Sequence, residues 1–136
     1  MTAYGKISWA ALATAVSLSL SACVGVPGPA STMMPAGDCF SSTQWQGWSS
    51  PTDDVLYLRV RPHDVYRVDL LPGTGSLDRG GQFIISEVRG SNRICSANDL
   101  ELSIASTTGF RSPLFPRAIR KLTPAEVAAL PPKDRP

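Results

Sequence analysis

Alternation of apolar and polar side chains is clearest at Val55-Leu56-Tyr57-Leu58-Arg59-Val60-Arg61, where Leu56, Leu58 and Val60 share one face and Tyr57, Arg59 and Arg61 the other. A period of two is that of a strand with one buried face. Val65-Tyr66-Arg67-Val68-Asp69-Leu70 repeats it, with Tyr66, Val68 and Leu70 against Arg67 and Asp69. Joining the two apolar faces sets Val60 opposite Tyr66, Leu58 opposite Val68 and Leu56 opposite Leu70. That match requires an odd number of loop residues, since a one-residue slip turns every side chain over. A turn of about three or five residues around Arg61-Pro62-His63-Asp64 is therefore predicted.

Gln82-Phe83-Ile84-Ile85-Ser86-Glu87-Val88 is more continuously apolar, which suits a strand covered on much of both faces. Asp99-Leu100-Glu101-Leu102-Ser103-Ile104 alternates, with Leu100, Leu102 and Ile104 inward, and Phe115 to Leu122 reads as a last strand whose Pro116 places its start at a sheet edge. Phe40 to Trp48 is ambiguous: Trp45 and Trp48 are spaced as on a helical turn, yet the stretch is short. Thr123-Pro124-Ala125-Glu126 is a capping box with proline at the first helical position, and Leu122 and Val127 are placed for a hydrophobic staple. Pro131-Pro132 ends this helix after Leu130, so Val127 and Leu130 are expected over one end of the sheet and 131–136 as a frayed tail.

The amino-terminal pattern is different in kind. Lys6 precedes residues 7–20, an uncharged run of 14 residues. It is shorter than the about 20 residues a spanning helix needs and within the about 7–15 of a secretory signal. Leu20-Ser21-Ala22-Cys23 then resembles a lipobox, in which small residues fit the peptidase cleft and the cysteine thiol takes a diacylglyceryl group. The pattern predicts a signal peptide over 1–22, lipidation of Cys23 and anchoring by more than one acyl chain. Val24, in place of the Asp that marks retention at the inner membrane of Gram-negative cells, suits an outer-membrane lipoprotein facing the periplasm. Residues 23–37, with small side chains and three prolines after the cysteine, read as a tether. One β-rich domain is expected over 38–136.

Removing 1–22 takes one of 13 basic residues and none of 11 acidic ones, leaving a net charge of +1. That balance excludes the concentrated basic surface that nucleic acid requires. Arg117, Arg120 and Lys121 cluster, but three such residues read as a solvated strand face. With Cys23 assigned to lipid, Cys39 and Cys95 form an even pair in an oxidising compartment, and a disulfide is expected, closing a loop of roughly 55 residues and stabilising the domain by about 4 kcal/mol.

Cys39-Phe40, Trp48, Asp53-Asp54, Asp64-Val65-Tyr66-Arg67, Ile94-Cys95 and Ile119-Arg120-Lys121-Leu122-Thr123-Pro124-Ala125-Glu126-Val127 together resemble a family of small proteobacterial proteins of unknown function, many with signal sequences. The resemblance runs from Cys39 to about Leu130, and its closing motif is the most specific part. Members usually carry four domain cysteines. The second and fourth places, around Thr74 and Pro116, hold none here, which the resemblance reads as loss of one bridge and survival of Cys39–Cys95. The family has no established activity, so the resemblance implies compartment and fold and no reaction.

Candidate chemistry is sparse. A hydrolase needs a nucleophile, a base and an orienting group, and the one histidine, His63, falls in a predicted turn. Asp53-Asp54 lacks the alternating ligands of a calcium loop and reads as turn-shaping. Gly73, Gly75, Gly80 and Gly81 follow no phosphate-loop spacing. Trp45, Trp48, Tyr57 and Tyr66 are candidates to line a ligand groove or fill a core. The expectation is a mainly β domain, a curved sheet or barrel of about five or six strands with one short helix. Functionally it is an envelope lipoprotein with no catalytic, cofactor or metal site, held to the membrane by lipid and making protein contacts. A small-ligand-binding module is the alternative.

Overall fold

The computed structural model describes residues 33–73, 77, 81–87 and 90–136. Among them the chain is mainly β, with strands β1 (Phe40–Ser41), β2 (Trp45–Thr52), β3 (Val55–Val60), β4 (Asp64–Leu70), β5 (Gln82–Glu87), β6 (Arg93–Ile94), β7 (Glu101–Ser106), β8 (Arg111–Leu114) and β9 (Pro116–Lys121), and one α-helix, α1 (Pro124–Ala129). They form three open antiparallel sheets, β2-β3-β4-β9, β5-β7-β8 and the short β1-β6 ladder. No barrel closes.

The inner faces of the two larger sheets share one core. Leu56, Leu58, Val60, Tyr66, Val68, Leu70 and Ile119 come from the first, Leu102, Ile104 and Leu114 from the second, and Phe40 and Ile94 from the ladder. Full burial of each large apolar side chain is worth about 1.5–3 kcal/mol. The Phe40 and Tyr66 rings lie 4.6 Å apart at 46°, and the Tyr66 hydroxyl donates to the Asp38 carbonyl at 2.9 Å, so the phenol is buried without an orphaned polar atom.

The β3–β4 hairpin has the predicted odd loop, the three residues Arg61-Pro62-His63. Its pairing is displaced by two residues from the one drawn from sequence: Val60 faces Asp64, Leu58 faces Tyr66 and Leu56 faces Val68. A shift of two preserves the faces, and the tighter turn is reached by placing Arg61 at φ 59°. The expected inward set of Leu100, Leu102 and Ile104 is buried, and Pro116 does open an outermost strand.

Several expectations change. The Phe40–Trp48 stretch contributes no α-helix. Trp45 pairs with Val60 and Trp48 with Leu58, both on the core face, because the register shifts between Trp45 and Gly47. A bulge adds one residue, so positions three apart share a face of a strand. β5 is an outermost strand with partly exposed side chains, Phe83 being 49% exposed. Its apolar run does not mean cover on both faces. Tyr57, expected outward, is buried with Val65 and Leu122 on the far face of the first sheet, and Val127 and Leu130 pack on them. Helix α1 therefore covers a sheet face, not a sheet end.

The capping box forms as read: Glu126 accepts from the Thr123 N–H at 2.8 Å and the Thr123 hydroxyl accepts from Glu126 N–H. The expected frayed tail is ordered instead. A 3₁₀ turn at Pro132–Asp134 brings the Asp134 carbonyl to the Ser49 hydroxyl, and Arg135 donates to the carbonyls of Leu130 and Ala128. At the other end, the tether drawn through Gly37 gives way earlier: Met33 bridges to Ser96, and Met34 is buried with its N–H donating to the Cys95 carbonyl at 2.8 Å. Met34 is the apolar residue of that stretch that the core can use.

Candidate functional site

The strands run around the core in the order β2-β3-β4-β9, then β8-β7-β5, because β8 passes into β9 through Phe115 alone. At that junction the Leu71 N–H donates to the Phe115 carbonyl at 2.9 Å, so the chain itself stitches the two sheets together. On the opposite side β2 and β5 are themselves joined by no such crossing among the described residues. There β2 and β5 face one another across a seam, and the seam holds a shallow groove of about 260 Å³ lined by Trp45, Gln46, Gly47, Trp48, Ile84 and Ser86.

Each lining residue has a local reason to be there. Trp45 is held by its indole N–H, which donates to the Gly47 carbonyl at 2.7 Å across the bulge. Trp48 and Ile84 pack, partly buried, against the edge of the core. At Gly47 a Cβ would lie 3.3 Å from Nη2 of Arg59, a close contact with the guanidinium on the far face of the sheet. The groove thus has two indole walls, one aliphatic floor and one hydroxyl. It contains no carboxylate, imidazole, thiol or ammonium group.

One end of the seam is fastened. Cys39, just before β1, is bonded to Cys95, just after β6, and Phe40 and Ser41 pair with Ile94 and Arg93. The Ser42 N–H continues the ladder to the Asn92 carbonyl at 2.9 Å. Since β1 leads into β2 and β6 follows β5, the two edges begin joined and then part at the tryptophans.

The remaining candidates are dispersed. His63 is exposed in the β3–β4 turn. Asp53 and Asp54 lie in the β2–β3 turn, and their bonds reach out of it: the Asp53 carboxylate accepts from Leu77 N–H and the Asp54 carbonyl from Leu70 N–H, both at 2.8 Å. Gly73 and Gly81 have φ of 85° and 81°, while Gly75 and Gly80 lie outside the described residues. Arg120 pairs with Glu126 at 2.8 Å and Lys121 with Asp64 at 2.9 Å, leaving Arg117 exposed on the strand. Of the four aromatic candidates, Trp45 and Trp48 line the groove, Tyr57 is under the helix and Tyr66 in the core. Ile84 and Ser86 were not singled out from sequence, since their role appears only when β5 meets β2. Cys23 and its lipobox lie outside the described residues.

Ionisation follows packing. Burial pushes the Tyr66 phenol above its ordinary 10.0, against the nearby Lys121 charge. The Asp64 carboxylate, accepting from Lys121, raises that ammonium group. Glu126 is lowered first by the Thr123 N–H and then by Arg120, and Asp99 first by the Cys95 N–H and then by Ser96. The Tyr66 shift belongs to the core and the other three to caps and ion pairs, all on residues outside the groove lining.

Among the described residues no group of three His, Cys, Asp or Glu side chains is placed to hold a metal ion, and no helix is long and apolar enough to cross a membrane. No protein-family model, curated protein or solved structure matches the chain.

Proposed function

We propose that this chain is a lipid-anchored envelope protein that works by binding, with the groove between β2 and β5 as its contact site. The observation that carries this reading is the lining of that groove: Trp45, Trp48 and Ile84 offer apolar contact, Gln46 and Ser86 offer hydrogen bonds, and the lining holds no base to activate the Ser86 hydroxyl. The lipobox at Leu20-Ser21-Ala22-Cys23 supports the anchor, and the Cys39–Cys95 disulfide suits an oxidising compartment. An anchored domain with a short uncharged tether acts near the bilayer, facing the periplasm if the outer membrane is its destination.

A protein contact is favoured over a small ligand by the size of the site. Drug-sized ligands occupy enclosed pockets of about 300–1,000 Å³, and this groove is smaller and open. In-cell photocrosslinking tests the reading, with the crosslinker at Trp48 and with Cys23→Ser as the control that releases the anchor. A single dominant envelope protein captured at Trp48, and lost in Cys23→Ser, is the expected result. A reproducible hydrolytic or redox activity in the purified chain would overturn the reading.

A further inference from the structure

Natural sheets blunt their outermost strands with proline, bulges or charge, because an open row of N–H and C=O groups recruits any passing strand. The two larger sheets have four outermost strands, β2, β9, β5 and β8. Three carry a proline: Pro51 in β2, Pro116 in β9 and Pro113 in β8. β2 is interrupted further by two register shifts. β5 is built the opposite way. Gln82-Phe83-Ile84-Ile85-Ser86-Glu87 has no proline and no basic residue, and it pairs with β7 over six consecutive positions without a shift. It is also the strand that faces the groove.

The geometry points to β5 as an acceptor edge: an extended segment of a partner polypeptide adds to it as a further strand, laying one or two apolar side chains against Trp45, Trp48 and Ile84. This deepens, and rests on, the reading of the groove as the contact site. Strand addition takes affinity from main-chain hydrogen bonds and specificity from pockets that receive alternate side chains, which is what a regular edge beside a shallow apolar groove provides. A second folded copy fits less well than a single segment, because its own β2 wall arrives together with its β5 and competes for the same space.

The test uses the purified chain and a displayed library of random peptides of roughly 12 residues, enough for one strand with flanks. Selected peptides are expected to alternate apolar side chains, to shift tryptophan emission, and to slow amide exchange within Gln82–Glu87. Successive residues of an edge strand turn their N–H groups alternately into and out of the sheet. Of Ile84→Pro and Ile85→Pro, one therefore leaves the ladder to β7 whole, and it is recognised as the variant with the smaller fall in melting temperature. That variant is expected to bind the peptides about tenfold more weakly or worse, whereas Phe110→Ala, in the exposed β7–β8 turn, binds unchanged. A tryptophan shift without protection of β5 would remove the added strand and leave the groove reading standing. Failure to select any peptide would remove both. Protection of β5 in a concentration-dependent dimer of the chain alone would replace the partner by a second copy.

Discussion

The two larger sheets of this molecule share a core but treat their other faces oppositely. Behind the four-stranded sheet, Tyr57, Val65 and Leu122 are sealed by Val127 and Leu130 of the carboxyl-terminal segment, and the ordered tail ties Asp134 back to Ser49. Behind the three-stranded sheet no described element lies. Its outer face carries Phe83 and Ile85, and Arg111 reaches over Ser103 toward Glu87. A sheet covered on both faces carries the stability, while a sheet covered on one face keeps an edge and a surface for other uses. The groove lies where the two kinds meet.

That division is open to direct attack, beginning with the clasp that joins the sheets. Cys39→Ser with Cys95→Ser should cost about 4 kcal/mol for a loop of 56 residues, measured as a lower midpoint in urea, with reductant producing the same loss in the unmodified chain. Leu58→Ala, at the centre of the four-stranded sheet and fully buried, should cost about 2–5 kcal/mol. Ile84→Ala in β5 should cost about 1 kcal/mol, in keeping with its partial exposure. Equal losses at these two positions would show that the sheets are equivalent.

A smaller effect addresses the cover itself. Thr123→Ala removes the helix cap and should cost about 1 kcal/mol. Acid should act on the same cap. Glu126 has a folded pKa below its unfolded one, so its contribution is complete above the ordinary carboxylate value of 4.5 and is lost as pH falls through the lowered folded value. Stability measured between pH 6 and pH 3 should fall less steeply in Glu126→Gln. An unchanged slope would assign acid sensitivity elsewhere, Asp99 being the other lowered carboxylate.

Much of this architecture is legible in local patterning. Strands β3, β4 and β7 announce themselves by alternation, β9 by an apolar run with Pro116 at its edge, and the capping box at Thr123 places the start of α1 to the residue, because these signals depend on neighbours in sequence. What local patterning misses depends on contacts across the chain. β8, Arg111-Ser112-Pro113-Leu114, buries Leu114 alone and so shows no period. β2 conceals its strand character behind the bulge at Trp45–Gly47, which gives two tryptophans a helical spacing. The tail reads as frayed because its partner, Ser49, is 85 residues away. The site divides in the same manner. The two tryptophans stand out as aromatic candidates, but their separation from Tyr57 and Tyr66, and their meeting with Ile84 and Ser86, follow from which strands end up at the open seam.

The clasp at β1 and β6 gives that seam a direction. A slot joined at one end by a disulfide and a short ladder is a cul-de-sac: a chain cannot be threaded through it, and can only be laid in from the side or pushed in by a free terminus from the Thr52 and Gly81 end. Met33, the first described residue, bridges to Ser96 beside that closed end, so the amino-terminal side of the described chain reinforces the clasp and leaves the mouth untouched.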